Sequence, residues 1–196
     1  MLIAGLGNPE ARYEGTPHNV GFAVADALAG RAGVGFRAQA AMRAWLADIK
    51  LGSCRATLMK PTTYMNASGE AVGHWLRYFK QDLQQLVVVV DDADLPLGRI
   101  RIRARGGSGG HNGLRSVIQH VGGENFVRLR LGIGRDAGRG DMISHVLRPF
   151  RKEDIAEVAE MVMRAADAVT MIVTEGTERA MNCYNQAVSQ EQEMES

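Results

Sequence analysis

The run Leu86-Val87-Val88-Val89-Val90 constrains the fold more than any other part of the chain. Five consecutive apolar residues, four of them β-branched, describe a strand buried on both faces rather than one alternating between core and solvent. Such a strand needs covering elements on each side. Helical periodicity supplies them. Val20, Val24, Ala27 and Leu28 predict a helix over about 17 to 31. Val72, Trp75, Leu76 and Phe79 predict a second, starting near Asn66 or Ser68. Ile155, Val158, Ala159 and Val162 predict a long helix over 153 to 174, ended by Gly176. Leu2 to Leu6 reads as a second strand, and residues 45 to 51 and 55 to 59 as a hairpin turning at Gly52-Ser53. Arg99-Ile100-Arg101-Ile102-Arg103 and Arg128-Leu129-Arg130-Leu131 alternate strictly, so each predicts a strand with one apolar and one cationic face. Between them a glycine-rich loop, 106 to 113, leads into a helix reaching about Val121. A short helix is predicted near 178 to 186.

This order of strands and helices predicts an α/β fold: one domain over 1 to 186, built on a twisted, mixed but mostly parallel sheet with helices on both faces. A chain of 196 residues suits one such core. Residues 187 to 196 are polar and acidic and are expected to form a disordered tail.

Several function classes drop out. No apolar stretch approaches membrane-spanning length, and Asn8-Pro9-Glu10 interrupts the first apolar run too early for a secretion signal. Cys54 and Cys183 form no CxxC pair, which fits a reduced, cytoplasmic protein. There is no HExxH, Walker A or GxSxG motif, so neither a metal nor a cofactor is expected. Asp91, Asp92 and Asp94 form the one acidic cluster, and 95 to 98 add no further ligand.

The net charge of +1 hides an asymmetry. Residues 97 to 152 hold twelve basic side chains against three acidic ones, a net +9. The remainder holds 11 basic and 19 acidic residues, a net −8. Eleven of the twelve are arginines, the side chain best shaped for bidentate phosphate contact. They form a phosphate-binding face for nucleic acid, unless folding scatters them.

Open α/β sheets hold their ligands beyond the carboxyl ends of the strands. Polar residues gather at such junctions here. Asn8 follows the first strand, Met65-Asn66 precede the second helix, Asp91 ends the central strand, and His111-Asn112 precede the third helix. Thr16 and Pro17 read as a cap and first position of a helix, which puts His18 at the positive end of its dipole, where an uncharged imidazole is favoured. Asp91, desolvated at the end of a buried strand, needs a donor, and an imidazole N–H is a good one. A His–Asp pair activating water is then the leading chemistry. Read singly, Asp91 serves equally as a turn residue, Asn66 and Asn112 as helix caps, and His111 as a loop residue. His74, His120 and His145 lack placed partners and read as structural.

The segments Gly5-Leu6-Gly7-Asn8-Pro9, Tyr13, Thr16-Pro17-His18-Asn19, Lys60-Pro61-Thr62-Thr63-Tyr64-Met65-Asn66, Asp91 to Gly98, Gly109 to Leu114 and Phe126 to Gly134 closely resemble bacterial peptidyl-tRNA hydrolase, in order and over about residues 1 to 185. The resemblance implies a monomeric cytoplasmic enzyme without an obligate protein partner. It cleaves the ester joining a peptide to the tRNA 3′ end and so recycles tRNA during translation. The resemblance makes His18 the base and Asp91 its orienting carboxylate. Asn8 would distinguish N-blocked peptidyl-tRNA from aminoacyl-tRNA. Tyr13, Tyr64, Asn66 and Asn112 would contact the tRNA end or the peptide, with Met65 and His111 lining the cleft. Arg103, Arg130 and Arg139 fall where the family carries basic contacts to the acceptor stem. Two other classes remain open: an RNA-binding protein of this fold without catalysis, and a hydrolase of small esters or nucleotides whose arginines are incidental.

Overall fold

The computed structural model describes residues 1–135 and 142–186. In chain order the elements are β1 (Leu2–Gly5), α1 (Val20–Arg31), β2 (Arg37–Gln39), β3 (Ala44–Leu51), β4 (Cys54–Pro61), α2 (Ser68–Phe79), β5 (Leu86–Asp92), β6 (Ile100–Arg103), α3 (Asn112–Val121), β7 (Val127–Gly132), α4 (Met142–Leu147), α5 (Ile155–Glu175) and α6 (Thr177–Tyr184). The proposed tail over 187 to 196 and the expected contact at Arg139 lie outside the described residues.

One sheet carries all seven strands in the order β2-β3-β4-β1-β5-β7-β6. Its centre, β4-β1-β5-β7, is parallel, while β2, β3 and β6 pair antiparallel with their neighbours. The expected mixed, mostly parallel sheet is therefore found, including the hairpin at Gly52-Ser53. β2 was not foreseen: three exposed residues at a sheet edge leave no periodic signal.

Alternate residues of the central strands feed two apolar layers. On one side Ile3, Val87, Val89, Leu129 and Leu131 pack with Val24 and Leu28 of α1 and Ala165 and Val169 of α5. On the other, Leu2, Ala4, Val88 and Val90 pack with Val72 and Leu76 of α2 and Leu114 and Val117 of α3. Residues 86 to 90 are all fully buried. Burial contributes roughly 1.5–3 kcal/mol per valine, against a backbone ordering cost of about 1–2 kcal/mol per residue. β5 is thus held firmly enough to carry two carboxylates at its end.

Close approach of helix to sheet sets the position of everything that follows β1. A Cβ on Gly21 would lie 2.5 Å from the backbone N and O of Leu6 and from the Val89 carbonyl. Only glycine lets α1 sit this low over β1 and β5. The connections leaving β1 and β5 run to opposite sides of the sheet, β1 toward β4 and β5 toward β7. The gap beyond these two strand ends is the topological switch point, where α/β sheets open a crevice.

Two expectations need correction. Helix α1 starts at Val20, and Pro17–Asn19 form a separate 3-10 turn. Thr16 does not cap it. Its hydroxyl turns back to donate to the Tyr13 carbonyl at 2.7 Å. The second correction concerns β7, whose cationic face is not a surface. Arg128 is only 1% exposed. It donates to the Gly106 and Glu124 carbonyls, and its guanidinium lies 4.2 Å from the Phe126 ring centroid. Burial, and secondarily Arg130, lowers its pKa to about 10, which leaves it charged at neutral pH.

Candidate active site

A cleft of about 570 Å³ opens at the switch point. It is bordered by Asn8, Tyr13, His18, Tyr64, Met65, Asn66, Asp91, His111, Asn112 and Arg130, together with Asp92, Asp94 and Arg135. The structure thus gathers in one place residues from five separate stretches of sequence. Arg103 lies outside the cleft. It is exposed at the end of β6, opposite Arg128 in register, with no acidic partner among the described residues.

Asp91 is the centre of the arrangement. It is 3% exposed, and its Oδ1 takes two hydrogen bonds, one to His18 Nδ1 at 2.8 Å and one to His111 Nε2 at 2.9 Å. Burial alone would raise the pKa of this carboxyl. The imidazoles, His111 foremost and then His18, outweigh that effect and hold it well below the usual carboxylate range. Asp91 is therefore an anion that can only accept, so Nδ1 of His18 and Nε2 of His111 both donate to it. For His18 this leaves Nε2 as the lone-pair nitrogen, on a ring that lines the cleft and has no other hydrogen-bond partner among the described residues.

His111 is more than a loop residue. It is the N-cap of α3, its Nδ1 accepting from the Leu114 N–H at 3.2 Å. Asn112, read from sequence as a possible cap, is instead the first residue of the helix, with its side chain free toward the cleft. Asn66 likewise caps nothing. It lies exposed in the 3-10 turn Met65–Ala67, and the residue preceding α2 is Ala67.

Asn8 is clamped. Its backbone N–H donates to Asn19 Oδ1 at 2.8 Å and its carbonyl accepts from Asn19 Nδ2 at 3.1 Å. Its own Oδ1 accepts from the Met65 N–H at 2.8 Å. What remains is the Nδ2 amide, a donor without a protein partner among the described residues. Sequence reasoning missed the role of Asn19, although a polar amide beside His18 was a signal. At the rim, Tyr64 donates its hydroxyl to Glu10, which raises the Tyr64 pKa. Glu10 also pairs with Arg12 at 2.8 Å, and Arg12 lies 4.8 Å over the Tyr13 ring.

The three aspartates serve different partners. Asp92 pairs with Arg130 at 3.0 Å, and Asp94 pairs with Arg135. Arg130 also donates to the carbonyls of Gly107 and Ser108. With Arg128 on Gly106, the two guanidiniums of β7 fasten the glycine-rich loop that delivers His111. Among the described residues, His18, Asp91 and His111 are the group whose atoms could ligate a metal, lying within 4.8 Å of one another. Their hydrogen bonds already use those atoms.

A family model described as peptidyl-tRNA hydrolase matches residues 2–193. The chain belongs to the peptidyl-tRNA hydrolase family. Family membership carries the activity class with it, an esterase acting on peptidyl-tRNA. Among relatives, the peptidyl-tRNA hydrolase of Cytophaga hutchinsonii is 45% identical over 184 residues, covering 94% of this chain and 97% of that one. That of Synechococcus sp. (strain CC9605) is 46% identical over 189 residues, covering 94% and 92%. Among solved structures, the peptidyl-tRNA hydrolase of Acinetobacter baumannii superposes with a TM-score of 0.89 at 32% identity, covering 94% of each chain. No helix among the described residues is long and apolar enough to cross a membrane.

Proposed function

We propose that this cleft hydrolyses the ester of N-blocked peptidyl-tRNA with water deprotonated by His18, and that the arginine-rich side of the sheet carries the acceptor stem. The observation that carries the reading is the 2.8 Å bond from His18 Nδ1 to the buried Asp91 carboxylate, which commits Nε2 to the cleft. A protein that only bound RNA would need no such arrangement.

The chemistry follows from the atoms. His18 Nε2 takes a proton from water as its oxygen attacks the ester carbonyl carbon. Asp91 stabilises the imidazolium so formed, the role of the carboxylate in any Asp–His base. Negative charge develops on the carbonyl oxygen. Asn112, at the positive end of α3 and free to donate an amide N–H, is suited to receive it. Collapse breaks the bond to the ribose oxygen, which regains the proton from His18 Nε2. The products are a peptide carboxylic acid and a free tRNA 3′ hydroxyl.

Asn8 supplies the substrate check. Its one uncommitted group is a donor, and an N-blocked residue presents an acyl carbonyl as acceptor. Unblocked aminoacyl-tRNA presents an ammonium instead, and two donors face each other. Tyr13, Tyr64 and Asn66 at the rim, with Met65 beneath, fit the terminal nucleotide and first peptide unit, and exposed Arg103 the phosphates, whereas Arg130 is held by Asp92 and the loop carbonyls. A cytoplasmic monomer suits this substrate, which is made there.

The test compares turnover of N-acetyl-aminoacyl-tRNA with that of aminoacyl-tRNA. Preference for the blocked substrate is expected, and His18→Ala should abolish turnover while leaving tRNA binding nearly intact. Turnover surviving within a few-fold in that variant would show that His18 is not the base.

A further inference from the structure

Asp91 Oδ1 serves two imidazoles, and only one of them is used in the reaction above. The second has its proton position fixed by the helix it caps. Because His111 Nδ1 accepts from the Leu114 N–H, the ring proton lies on Nε2 and points at Asp91. The cap is specified by the fold. A Cβ on Gly113 would lie 2.5 Å from Met65 Sδ and 2.9 Å from Leu6 Cδ1, so the start of α3 is pressed against the floor of the cleft. From behind, Arg128 and Arg130 hold the loop through the carbonyls of Gly106, Gly107 and Ser108. The His18 and His111 rings end up with their centroids 5.3 Å apart, tilted by 54°, both bonded to one oxygen.

We propose that His111 is a positioning residue that sets the basicity of His18 by competing for the same Asp91 oxygen. A carboxylate oxygen already accepting one N–H is a weaker acceptor for a second, and the His111 N–H dipole presents its positive end to the place where the imidazolium forms. Both effects disfavour protonated His18 and keep it a free base at lower pH. The same bond blocks a rotation of the Asp91 side chain that would pull His18 out of line.

Among the described residues, the charged groups on the elements around His18 are engaged elsewhere, apart from Glu14, which is exposed in the turn before it. On β5, Asp92 is paired to Arg130. After β5 and β7, Asp94 and Arg135 pair with each other. In the turn before His18, Glu10 is shared between Arg12 and Tyr64, and Arg12 covers Tyr13. From α4, which packs against the Pro17–Asn19 turn, His145 bonds to the Gly134 carbonyl. Asp26 of α1 is paired to Lys60.

His111→Asn separates the two bonds. Asn is a favoured N-cap and can accept from Leu114, but its shorter side chain stops short of Asp91. His111→Ala loses both. The inference rests on His18 being the base, so two readouts are needed. The first is the pH dependence of kcat/KM on N-acetyl-aminoacyl-tRNA, which reports the free enzyme and is therefore not displaced by lost substrate contacts. The second is the NMR titration of the His18 ring in the substrate-free protein, which does not depend on turnover. In both variants the acid limb and the His18 titration should move up together by about 0.5–1 pH unit. A His18 titration unmoved in His111→Asn would overturn the inference, even with His18→Ala inactive. Restoration of the wild-type value by Asn would do the same, because it would reduce His111 to a helix cap. Survival of turnover in His18→Ala sinks the base assignment instead, and the NMR titration still decides whether His111 acts on that ring.

Discussion

Asp91→Asn isolates the charge at the centre of the site, because this structure specifies which way the new amide faces. In an ordinary Asp–His pair, asparagine can rotate to present its NH₂ to the histidine, which inverts the tautomer and costs about 10⁴ in rate. Here the position holding Oδ1 faces two N–H donors, at 2.8 and 2.9 Å. An NH₂ turned toward them would oppose both in a site only 3% exposed. The asparagine therefore keeps its oxygen inward, and both imidazoles keep their tautomers. What is lost is the carboxylate charge beside the imidazolium. At about 4 Å and an effective dielectric constant of about 20, that attraction is worth ~4 kcal/mol. The amide dipole recovers part of it, leaving a drop of about 1–3 units in the pKa of His18. The sign is definite: a carboxylate favours the protonated ring, so removing it lowers the pKa, and the acid limb of kcat/KM moves to lower pH. The plateau falls because the base is weaker, by about 10²–10³-fold, within the range that general-base catalysis contributes. The measurement is kcat/KM on N-acetyl-aminoacyl-tRNA across the acid range for both proteins. An acid limb that stays put or moves up would refute the pairing. Adding His111→Ala to Asp91→Asn frees the amide to rotate, and the loss should then deepen toward 10⁴. Equal activity of the single and double variants would show that His111 does not fix the orientation.

Two further outcomes test the scaffold and the basic face. Gly21→Ala forces a Cβ to 2.5 Å from three backbone atoms, two of Leu6, the residue after β1, and one of Val89 in β5. Backbone cannot yield as a side chain does, so the cost should be about 1–3 kcal/mol, a fall in melting temperature of roughly 2–12 °C, with a lower kcat as His18 shifts. An unchanged melting temperature would show that α1 does not sit so low. Arg103→Ala should weaken tRNA binding and reduce the slope of log K against log salt by roughly 0.9, the value for one duplex phosphate contact. Arg130→Ala should instead act mainly on kcat, because its guanidinium is engaged by Asp92 and the loop carbonyls. A salt slope unaffected by Arg103→Ala would move the tRNA to another face.

What the sequence disclosed and what it concealed divide along a physical line. Strands buried on two faces, helices with an apolar stripe and a turn demanding glycine are short-range patterns, and they located the central strands, the hairpin and five of the six α-helices among the described residues. The remaining helix, α4, has too little periodicity over Met142–Leu147 to be read. Residue types at strand ends indicated which side chains would meet, and the fold does bring Asn8, His18, Asn66, Asp91 and Asn112 to one cleft. Alternation failed where polarity and exposure part company. Arg128-Leu129-Arg130-Leu131 reads as a cationic surface, yet Arg128 is fully buried and Arg130 is tied to Asp92. A guanidinium is tolerated inside when backbone carbonyls take up its terminal NH₂ groups, and here one carbonyl, of Glu124, is four residues away and the other, of Gly106, is twenty-two. The same distance hid His111. Its importance comes from a helix cap on one ring nitrogen and a strand-end carboxylate on the other, 3 and 20 residues away in sequence. Periodicity cannot register a side chain that links two elements of different period. Such a residue becomes visible only when the helix start and the strand end are in the same place, and there it governs the proton that the reaction moves.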